Sequence, residues 1–408
     1  MHLVKSLRAC SPSERALVLA SFFLVTAFQS SYFIGIIGYA TYALGAGTDL
    51  VSLLTLAYNA ATFLGSIAAG ILIDRRGPRQ VLLASLAGGI CLASFAWAVP
   101  LSPLMLMMSS CLFGLAWSVS SGTLSSFAPY LTQEGERLKQ LNGLIDTATS
   151  VSVVVGPAIG GTISAASSTS GVFAFMAASL GAALTCAVAC KELPGARQAG
   201  ERDDGPLPKA TLREFGEGLR VTLSSRDLRL ILAMCFFGFF AFGAFDALES
   251  VYYRDVLRLD ASWMGWLSMV AGVGCTLGSL ALLRIPRRQV SLRLLATTLL
   301  VEGLGAMLYV GTRKPWCAVL GQLVLGVGNG LSVPVEHTLV QERCEIGQLG
   351  RVSSVIRMGI MSSGIVPLLL APLLADRLGA QSVLFAASTT VAIVALAFLL
   401  RLRVRRAE

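Results

Sequence analysis

One face of an apolar segment, residues 230–253, carries a stripe of aromatic and acidic side chains. Its members are Phe239, Phe242, Asp246, Glu249 and Tyr253. At about 100° per residue, they project within an arc of about 80° on a helix. Ring faces beside carboxylates attract lipophilic cations, and an acid inside a membrane usually serves a function. The stripe predicts cation or proton handling. The alternatives are core packing for the phenylalanines and plain hydration for Glu249 and Tyr253.

Other polar residues within apolar segments also have alternative interpretations. Burial favours the neutral form of a carboxyl group, so Asp146 could bind a proton when covered and release it when exposed. It could instead form a fixed pair with Arg357, its counterpart in a later segment. Gln29 could hydrogen-bond a bound molecule, although polar residues also join helices. Glu302 could pair with a neighbouring helix or point into a cavity.

The densest charge cluster is a ten-residue stretch, residues 70–79, with the sequence GILIDRRGPR. The carboxylate of Asp74 can accept hydrogen bonds from N–H groups at a helix start, where the helix dipole also favours negative charge. Arg75 and Arg79 could serve only to orient the chain in a membrane, but that role does not explain Asp74 or Gly77. We therefore expect a functional element at the membrane face.

The composition indicates an integral membrane protein. Of 408 residues, 55% are hydrophobic and 13% are charged, whereas soluble domains typically carry about 25% charged residues. Apolar segments of about 20 residues, enough to cross a bilayer, recur twelve times and are called spans one to twelve. They cover residues 16–39, 50–73, 80–99, 103–130, 139–163, 170–190, 230–253, 262–284, 292–311, 316–338, 352–374 and 381–401.

A polar segment, residues 191–228, divides the spans six and six. The predicted architecture is therefore a first bundle over residues 1–190, a linker, and a second bundle over residues 229–408. The later part of the linker, Leu212 to Leu228, has a helical pattern that could lie along the membrane surface. If both termini are assigned to the cytoplasm, all but five of the 32 Lys and Arg residues lie on the cytoplasmic side of the membrane. This distribution agrees with the positive-inside rule. The exceptions are Arg254, Arg258, Arg313, Lys314 and Arg377.

The two halves of the chain also resemble each other. The sequence PRQV at residues 78–81 recurs as PRRQV at residues 286–290, and Pro157 is matched by Pro367. These matches share an offset of about 210 residues, the mark of an internal repeat. Two six-span repeats are a transporter architecture, with the binding site near the middle of the membrane.

The charged stretch also carries a family resemblance. Its residues fit the signature Gly-x-Leu-x-Asp-Arg-x-Gly-Arg-Arg, which lies between spans two and three in the major facilitator superfamily. The matching positions are Gly70, Leu72, Asp74, Arg75, Gly77 and Arg79. The resemblance covers essentially the whole chain. It implies an all-α membrane protein of twelve helices in two pseudo-symmetric bundles. It also implies that Asp74 engages the cytoplasmic start of span eleven, near residues 349–353, and latches an inner gate.

A second resemblance lies in span five, which is similar to the antiporter motif of drug–proton exchangers. The matching residues are Gly143, Gly156, Pro157, Gly160 and Gly161, with Ser152 where a further glycine is usual. We expect this face to meet span eight around Gly265, Gly272 and Gly278. One departure is Ser110 in span four, where many proton-coupled members carry an arginine.

These resemblances imply a secondary active transporter, nearest to the bacterial drug and macrolide exporters, that exchanges a lipophilic or cationic compound for protons. The energy source would be the proton gradient, with no bound cofactor. Uptake of a nutrient or metabolite by the same fold stays open. The sequence has no catalytic triad, metal-ligand spacing or nucleotide-binding loop, which disfavours an enzyme or an ATP-driven pump. The net charge is +9, but the basic residues lie beside the spans, where they orient the chain in the membrane. No nucleic-acid partner is therefore expected. We expect a monomer in the plasma membrane.

Overall fold

The structure is entirely helical in the part of the chain that it describes. The computed structural model describes residues 10–132, 134–190, 207–345 and 348–404, and it contains no strand there. Twelve helices in these ranges are long and apolar enough to cross a membrane, which confirms the predicted fold class. Large apolar side chains also lie on the outside, among them Leu283 and Trp316. Such a surface is suited to contact with lipid.

The helices correspond one to one with the predicted spans. Their bounds, in chain order, are Pro12–Ser31, Thr48–Arg76, Pro78–Ala98, Pro103–Phe127, Gly135–Ala166, Gly171–Ala189, Arg226–Val251, Ser262–Leu282, Leu292–Val310, Pro315–Arg343, Leu349–Ser363 continued by Ile365–Leu378, and Ala380–Val404. Local sequence explains many of the starts. Pro12, Pro78, Pro103 and Pro315 each stand at the first helical position, where a missing N–H costs nothing.

Spans one, seven and eleven depart from regular helix. Span one continues through π-helical segments at Tyr32–Ile37 and Tyr39–Ala43, and span seven continues through one at Tyr252–Val256. Span eleven is interrupted at Gly364, against which the backbone of Gly243 in span seven is packed. A side chain at either glycine would collide with the other helix. The two helices can therefore approach this closely only with glycine at both positions.

The described residues divide into two compact units. The first unit contains the residues up to 190 together with residues 259–269, and the second contains residues 207–258 and 270–404. The first part of span eight thus groups with the first unit. The linker helix, Leu207–Ser224, groups with the second. The predicted division at residues 190 and 228 stays a prediction.

The linker helix lies earlier than the sequence pattern indicated. It ends at Ser224 rather than Leu228, because Ser225 already caps span seven, with its hydroxyl accepting from Leu228 N–H. The helix packs against the start of span eleven, where Arg351 Nη1 lies 2.9 Å from Glu217 Oε2. A Cβ on Gly218 would stand 2.8 Å from Arg351 O. The helix thus contacts the segment that the resemblance assigns to the inner gate.

In both units, an acid in the first turn of the first span pairs with an arginine. Glu14 Oε1 of span one accepts from Arg137 Nε at 2.7 Å, and Asp227 Oδ2 of span seven accepts from Arg343 Nε at 2.7 Å. The side chain of Glu14 is 2% exposed, whereas that of Asp227 is 46% exposed. The shared arrangement supports the internal repeat, and the sequence analysis did not identify it.

Candidate functional site

The aromatic part of the predicted stripe on span seven forms as expected. The rings of Phe239 and Phe242 stack with centroids 5.2 Å apart and planes 26° from parallel. Both side chains are half-buried, and Asp246, one turn further along, is exposed. The opposite face of the helix, including Ala247 and Leu248, is fully buried in the second unit. Asp246 therefore lies at membrane depth with its carboxylate accessible beside an aromatic surface.

The outer part of the stripe differs from the hydrated end that was one of the alternatives. Tyr253 is fully buried, and Glu249 Oε1 accepts three hydrogen bonds. The donors are Tyr253 Oη at 2.8 Å, Tyr309 Oη at 2.6 Å and Gln322 Nε2 at 3.1 Å. Three donors at one oxygen hold the carboxyl group in place. Glu249 thus joins spans seven, nine and ten, so Asp246 is the accessible acid of the pair.

Tyr309 and Gln322 were missed by the sequence analysis. Both lie on spans other than the one that carries the stripe, and Tyr309 is fully buried. A polar Gln322 within an apolar span was a signal that a hydrogen-bond partner must exist. The sequence did not show that this partner is Glu249, because the two residues are far apart in the chain.

The glycines of span five pack against span one and the first part of span eight, all within the first unit. A Cβ on Gly156 would lie 2.9 Å from Gln29 Cβ, and one on Gly160 would lie 2.8 Å from Ser30 O. A Cβ on Gly161 would lie 3.1 Å from Gly265 Cα. These positions form a seam of backbone contact, called the span-five seam.

Two residues near this seam clarify the departures from the antiporter motif. Ser152, which replaces a glycine, donates its hydroxyl to Phe22 O of span one at 2.9 Å. Pro157 is buried inside the continuous helix Gly135–Ala166, and its carbonyl faces Gly265.

Gly143 has open space around it, so close packing does not explain that glycine. Of the three expected contacts on span eight, Gly265 meets span five, whereas Gly278 packs against Val327 of span ten.

The charged loop between spans two and three is a tight glycine turn. Gly77 has a φ of 79°, which favours glycine, and its N–H donates to Ile73 O at 2.8 Å. Arg79 Nε donates to Cys190 O at 2.9 Å, so this side chain caps the end of span six. Arg75 is exposed. The side chain of Asp74 lies outside the described residues, so its latch to span eleven stays a prediction.

A closely similar turn joins spans eleven and twelve. Gly379 has a φ of 82°, its N–H donates to Ala375 O at 2.8 Å, and the sequence before it again reads Asp-Arg-x-Gly. Gln381, two residues after the glycine, donates to Val310 O at 2.9 Å and caps span nine. The sequence repeat at residues 286–290 instead forms a short 3-10 turn at Arg287–Gln289. The backbone counterpart of the charged loop is therefore the loop after span eleven.

The other candidate residues do not join the stripe. Asp146 is exposed on span five, and Gln29 is half-buried with its Cβ against Gly156. Arg357 is exposed on span eleven and lies within electrostatic range of Glu336 on span ten. An Asp146–Arg357 pair stays a prediction. Ser110 is fully buried and donates to Leu54 O at 2.8 Å, so its hydroxyl joins spans four and two.

Gly70, the first residue of the charged stretch, has open space around it and makes no close helix contact there. Within the described ranges, no three His, Cys, Asp or Glu side chains stand close enough together to hold a metal ion. The chemistry available at this site is thus that of one accessible carboxylate, two stacked rings and a bonded glutamate.

Comparison with known proteins agrees with this architecture. A family model described as Major Facilitator Superfamily matches residues 18–366. The multidrug efflux pump Tap of Mycobacterium tuberculosis (strain ATCC 25618 / H37Rv) is 24% identical over 337 residues, which cover 79% of this chain and 77% of the pump. Macrolide efflux protein A of Streptococcus pyogenes is 24% identical over 339 residues, which cover 81% of each chain.

Two solved structures share the fold. The nucleoside transporter NupG superposes with a TM-score of 0.72 at 12% identity, covering 95% of this chain and 98% of NupG. A peptide transporter POT solved with sulfate gives a TM-score of 0.72 at 12% identity, covering 95% and 93%. At this identity the likeness concerns the fold alone.

Proposed function

Because the chain belongs to the Major Facilitator Superfamily, it is a multi-pass membrane transporter, and we propose that it exports lipophilic, cationic small molecules in exchange for protons. The relatives that match over about four fifths of the chain are a multidrug efflux pump and a macrolide efflux protein. Their names support export and a drug-like substrate.

The observation that carries the proposal is the accessible carboxylate of Asp246 beside the stacked rings of Phe239 and Phe242. An aromatic surface next to a negative charge fits an apolar cation, since ring faces and carboxylate both attract positive charge. A neutral nutrient that makes many hydrogen bonds would find few partners on such a surface. The stripe therefore favours export of lipophilic cations over uptake of a polar metabolite.

Exchange follows from competition for one carboxylate. When Asp246 is ionised it attracts the cation, and when a proton binds it the attraction is lost and the cation leaves. A proton gradient then drives the cation in the opposite direction, provided that the site opens to one side at a time. Glu249 is already hydrogen-bonded by three donors, so we assign it to shaping the site and not to the exchange.

The packed glycines support a rocking mechanism. The span-five seam and the Gly243–Gly364 contact bring helix backbones together without intervening side chains. Such contacts exclude water and can slide with little steric resistance, whereas interlocking large side chains cannot. In this proposal Asp74 holds the cytoplasmic side closed during part of the cycle. Both termini are cytoplasmic, because the basic residues lie mainly on that side.

The test is transport of tetraphenylphosphonium, a lipophilic cation, by inverted membrane vesicles with an imposed pH gradient. We expect accumulation that collapses when the gradient is removed. Asp246→Asn should abolish gradient-driven accumulation, because an amide neither carries the negative charge that attracts the cation nor binds the exchanged proton. Asp255→Asn is the matched control, since Asp255 follows on the same helix in an exposed pair with Arg254 and should leave transport unchanged.

The outcomes separate the alternatives. Accumulation that ignores the pH gradient would rule out proton exchange. Failure to move tetraphenylphosphonium, together with gradient-driven uptake of a polar metabolite into right-side-out vesicles, would establish the nutrient importer instead. Full activity of Asp246→Asn would remove this carboxylate from the mechanism.

A further inference from the structure

A second acid lies buried in the middle of the membrane, away from the span-seven stripe. Glu302 is residue 11 of the 19-residue helix Leu292–Val310 and is only 3% exposed. Its oxygen Oε1 accepts from Ser332 Oγ of span ten at 2.5 Å. Its other oxygen, Oε2, is buried and has no hydrogen-bond partner. The proposed exchange at Asp246 makes no use of this residue.

Among the described residues, no cationic side chain balances Glu302. In the part of the chain that the structure describes, no Lys, Arg or His forms an ion pair with it. The titratable groups facing it are Cys235 of span seven and Cys275 of span eight, and Cys235 also lies near Glu336 of span ten. On span twelve, the backbone and methyl group of Ala392 pack against Gly303, the residue after Glu302. An ionised carboxylate with these neighbours would be uncompensated, which membrane interiors strongly disfavour.

The hydrogen bonds around Glu302 fit its neutral form. Ser332 Oγ also lies 3.3 Å from Asn329 O, a second acceptor for the same hydroxyl. When Glu302 carries a proton on Oε1, it donates to Ser332 Oγ, and the serine hydroxyl donates to Asn329 O. Every hydrogen in this chain then has an acceptor, and Oε2 is an uncharged carbonyl oxygen. When the proton leaves, the serine turns to the carboxylate and the charge has no other partner.

The packing leaves no room for a larger ligand at this carboxylate. A Cβ on Gly328 would lie 2.5 Å from Glu302 Cγ and 3.0 Å from Glu302 N, so span ten presses directly on the acid. A proton on the carboxyl group fits in this space, whereas a hydrated metal ion or a substrate does not.

We infer that Glu302, with Ser332 and Asn329, is a proton-binding site within the second unit, distinct from Asp246. Glu302 binds its proton while spans nine and ten are packed as in the structure, and releases it to water only when these spans separate. Proton release is thereby linked to movement inside one unit. The binding site does not depend on what is carried; its part in transport rests on the proposed proton exchange.

Infrared difference spectroscopy of the purified protein tests the site directly, because it detects the carbonyl band of protonated carboxyl groups. We expect the wild type at pH 7 to show a protonated-carboxyl band that is missing in Glu302→Gln and retained in Asp246→Asn. In Ser332→Ala the band should persist at a changed frequency, since the acid keeps its proton but loses its partner. This variant keeps the test valid even if Glu302→Gln folds poorly.

Two results would overturn the inference. Identical spectra for the wild type and Glu302→Gln at pH 7 would show that Glu302 is ionised. A band that responds to added NaCl at constant pH would assign the site to a metal cation instead.

Transport then separates this inference from the proposed function. Glu302→Gln should move fewer protons per tetraphenylphosphonium than the wild type, measured with a pH dye inside the vesicles. If the wild type shows no proton exchange at all while the Glu302 band is present, the proposed function fails and the site stands.

Discussion

The two units differ in the polar groups that join their helices at membrane depth. In the first unit, spans three and four are joined by a neutral hydrogen bond from Ser120 Oγ to Ser85 Oγ at 3.0 Å. In the second, spans nine and ten occupy the corresponding places in the chain and are joined by Glu302 and Ser332. The repeat is thus preserved as a helix-to-helix contact, but only the second unit places a titratable group there.

The same contrast recurs elsewhere in the units. Asp246, Glu249, Glu302 and Glu336 all lie within spans of the second unit, whereas the first unit relies on the span-five seam and on Tyr32 stacked 3.8 Å from Tyr58. Apart from Asp146, the described acids of the first unit lie near helix ends. The difference is that, among the described residues, most acids within the spans belong to the second unit. Four sets of substitutions probe this contrast, from the largest effect to the smallest.

The largest effect is expected for the acid–arginine pair that each unit forms at its first span, because the acid is buried in the first unit and half-exposed in the second. Glu14→Gln should lower the free energy of unfolding more than the matching change in the second unit, because it weakens the hydrogen bonds that the buried Glu14 side chain forms with Arg137 and Ser11. Asp227→Asn, its counterpart, should lower it by about 0.2–1 kcal/mol, since that pair is half-exposed. Denaturant unfolding in detergent measures both, and equal losses would remove the asymmetry.

The next effect concerns the seam of the first unit. Gly161→Val should lower the free energy of unfolding by about 1–3 kcal/mol, because the new side chain collides with Ser262 and Gly265. The variant should also stop transport. Gly143→Val on the same helix meets open space and serves as the control. If both variants transport normally, backbone contact at the seam is not needed for the cycle.

A smaller effect is expected for the aromatic stripe of the second unit. Phe239→Ala or Phe242→Ala should weaken tetraphenylphosphonium binding about tenfold, which corresponds to about 1.4 kcal/mol of lost ring contact. Phe237→Ala, on the same helix but exposed and off the stripe, should bind as the wild type does. Equilibrium dialysis measures the affinity. Similar losses in all three variants would indicate a general packing defect.

The smallest effect on stability comes from the paired serines. Ser85→Ala and Ser332→Ala should each lower the free energy of unfolding by about 1 kcal/mol or less. Only Ser332→Ala should change the pH profile of transport, because Ser332 is the hydrogen-bond partner of Glu302 and Ser85 has no titratable partner in its contact with Ser120. A matching shift in Ser85→Ala would place proton chemistry in both units.

Much of the architecture could be predicted because it depends on local pattern. A run of apolar residues long enough to cross a bilayer identifies a span, and helical periodicity put Phe239, Phe242 and Asp246 on one face of span seven. The pair Ser11 and Glu14 also has the spacing of a capping box, so that helix start was readable although it was overlooked.

Contacts between distant spans could not be predicted in the same way. Nothing local to Glu249 identifies Tyr309 or Gln322 as its donors, and nothing near Glu302 identifies Ser332. The sequence around Arg79 predicts an arginine at a membrane face. The role of Arg79 as a cap on span six depends on a helix end more than 100 residues away in the chain. One sequence lacks this information because partner choice is set by packing.

The glycine turns at Gly77 and Gly379 have a consequence for reading topology from sequence. An odd number of spans, three through eleven, separates them, so the same Asp-Arg-x-Gly turn serves opposite faces of the membrane. Its geometry needs only a permissive glycine and a helix end to cap, and neither depends on which compartment lies outside. The same turn can therefore join two helices at either face of the membrane. Such a motif identifies the turn, and only the surrounding Lys and Arg residues identify the side.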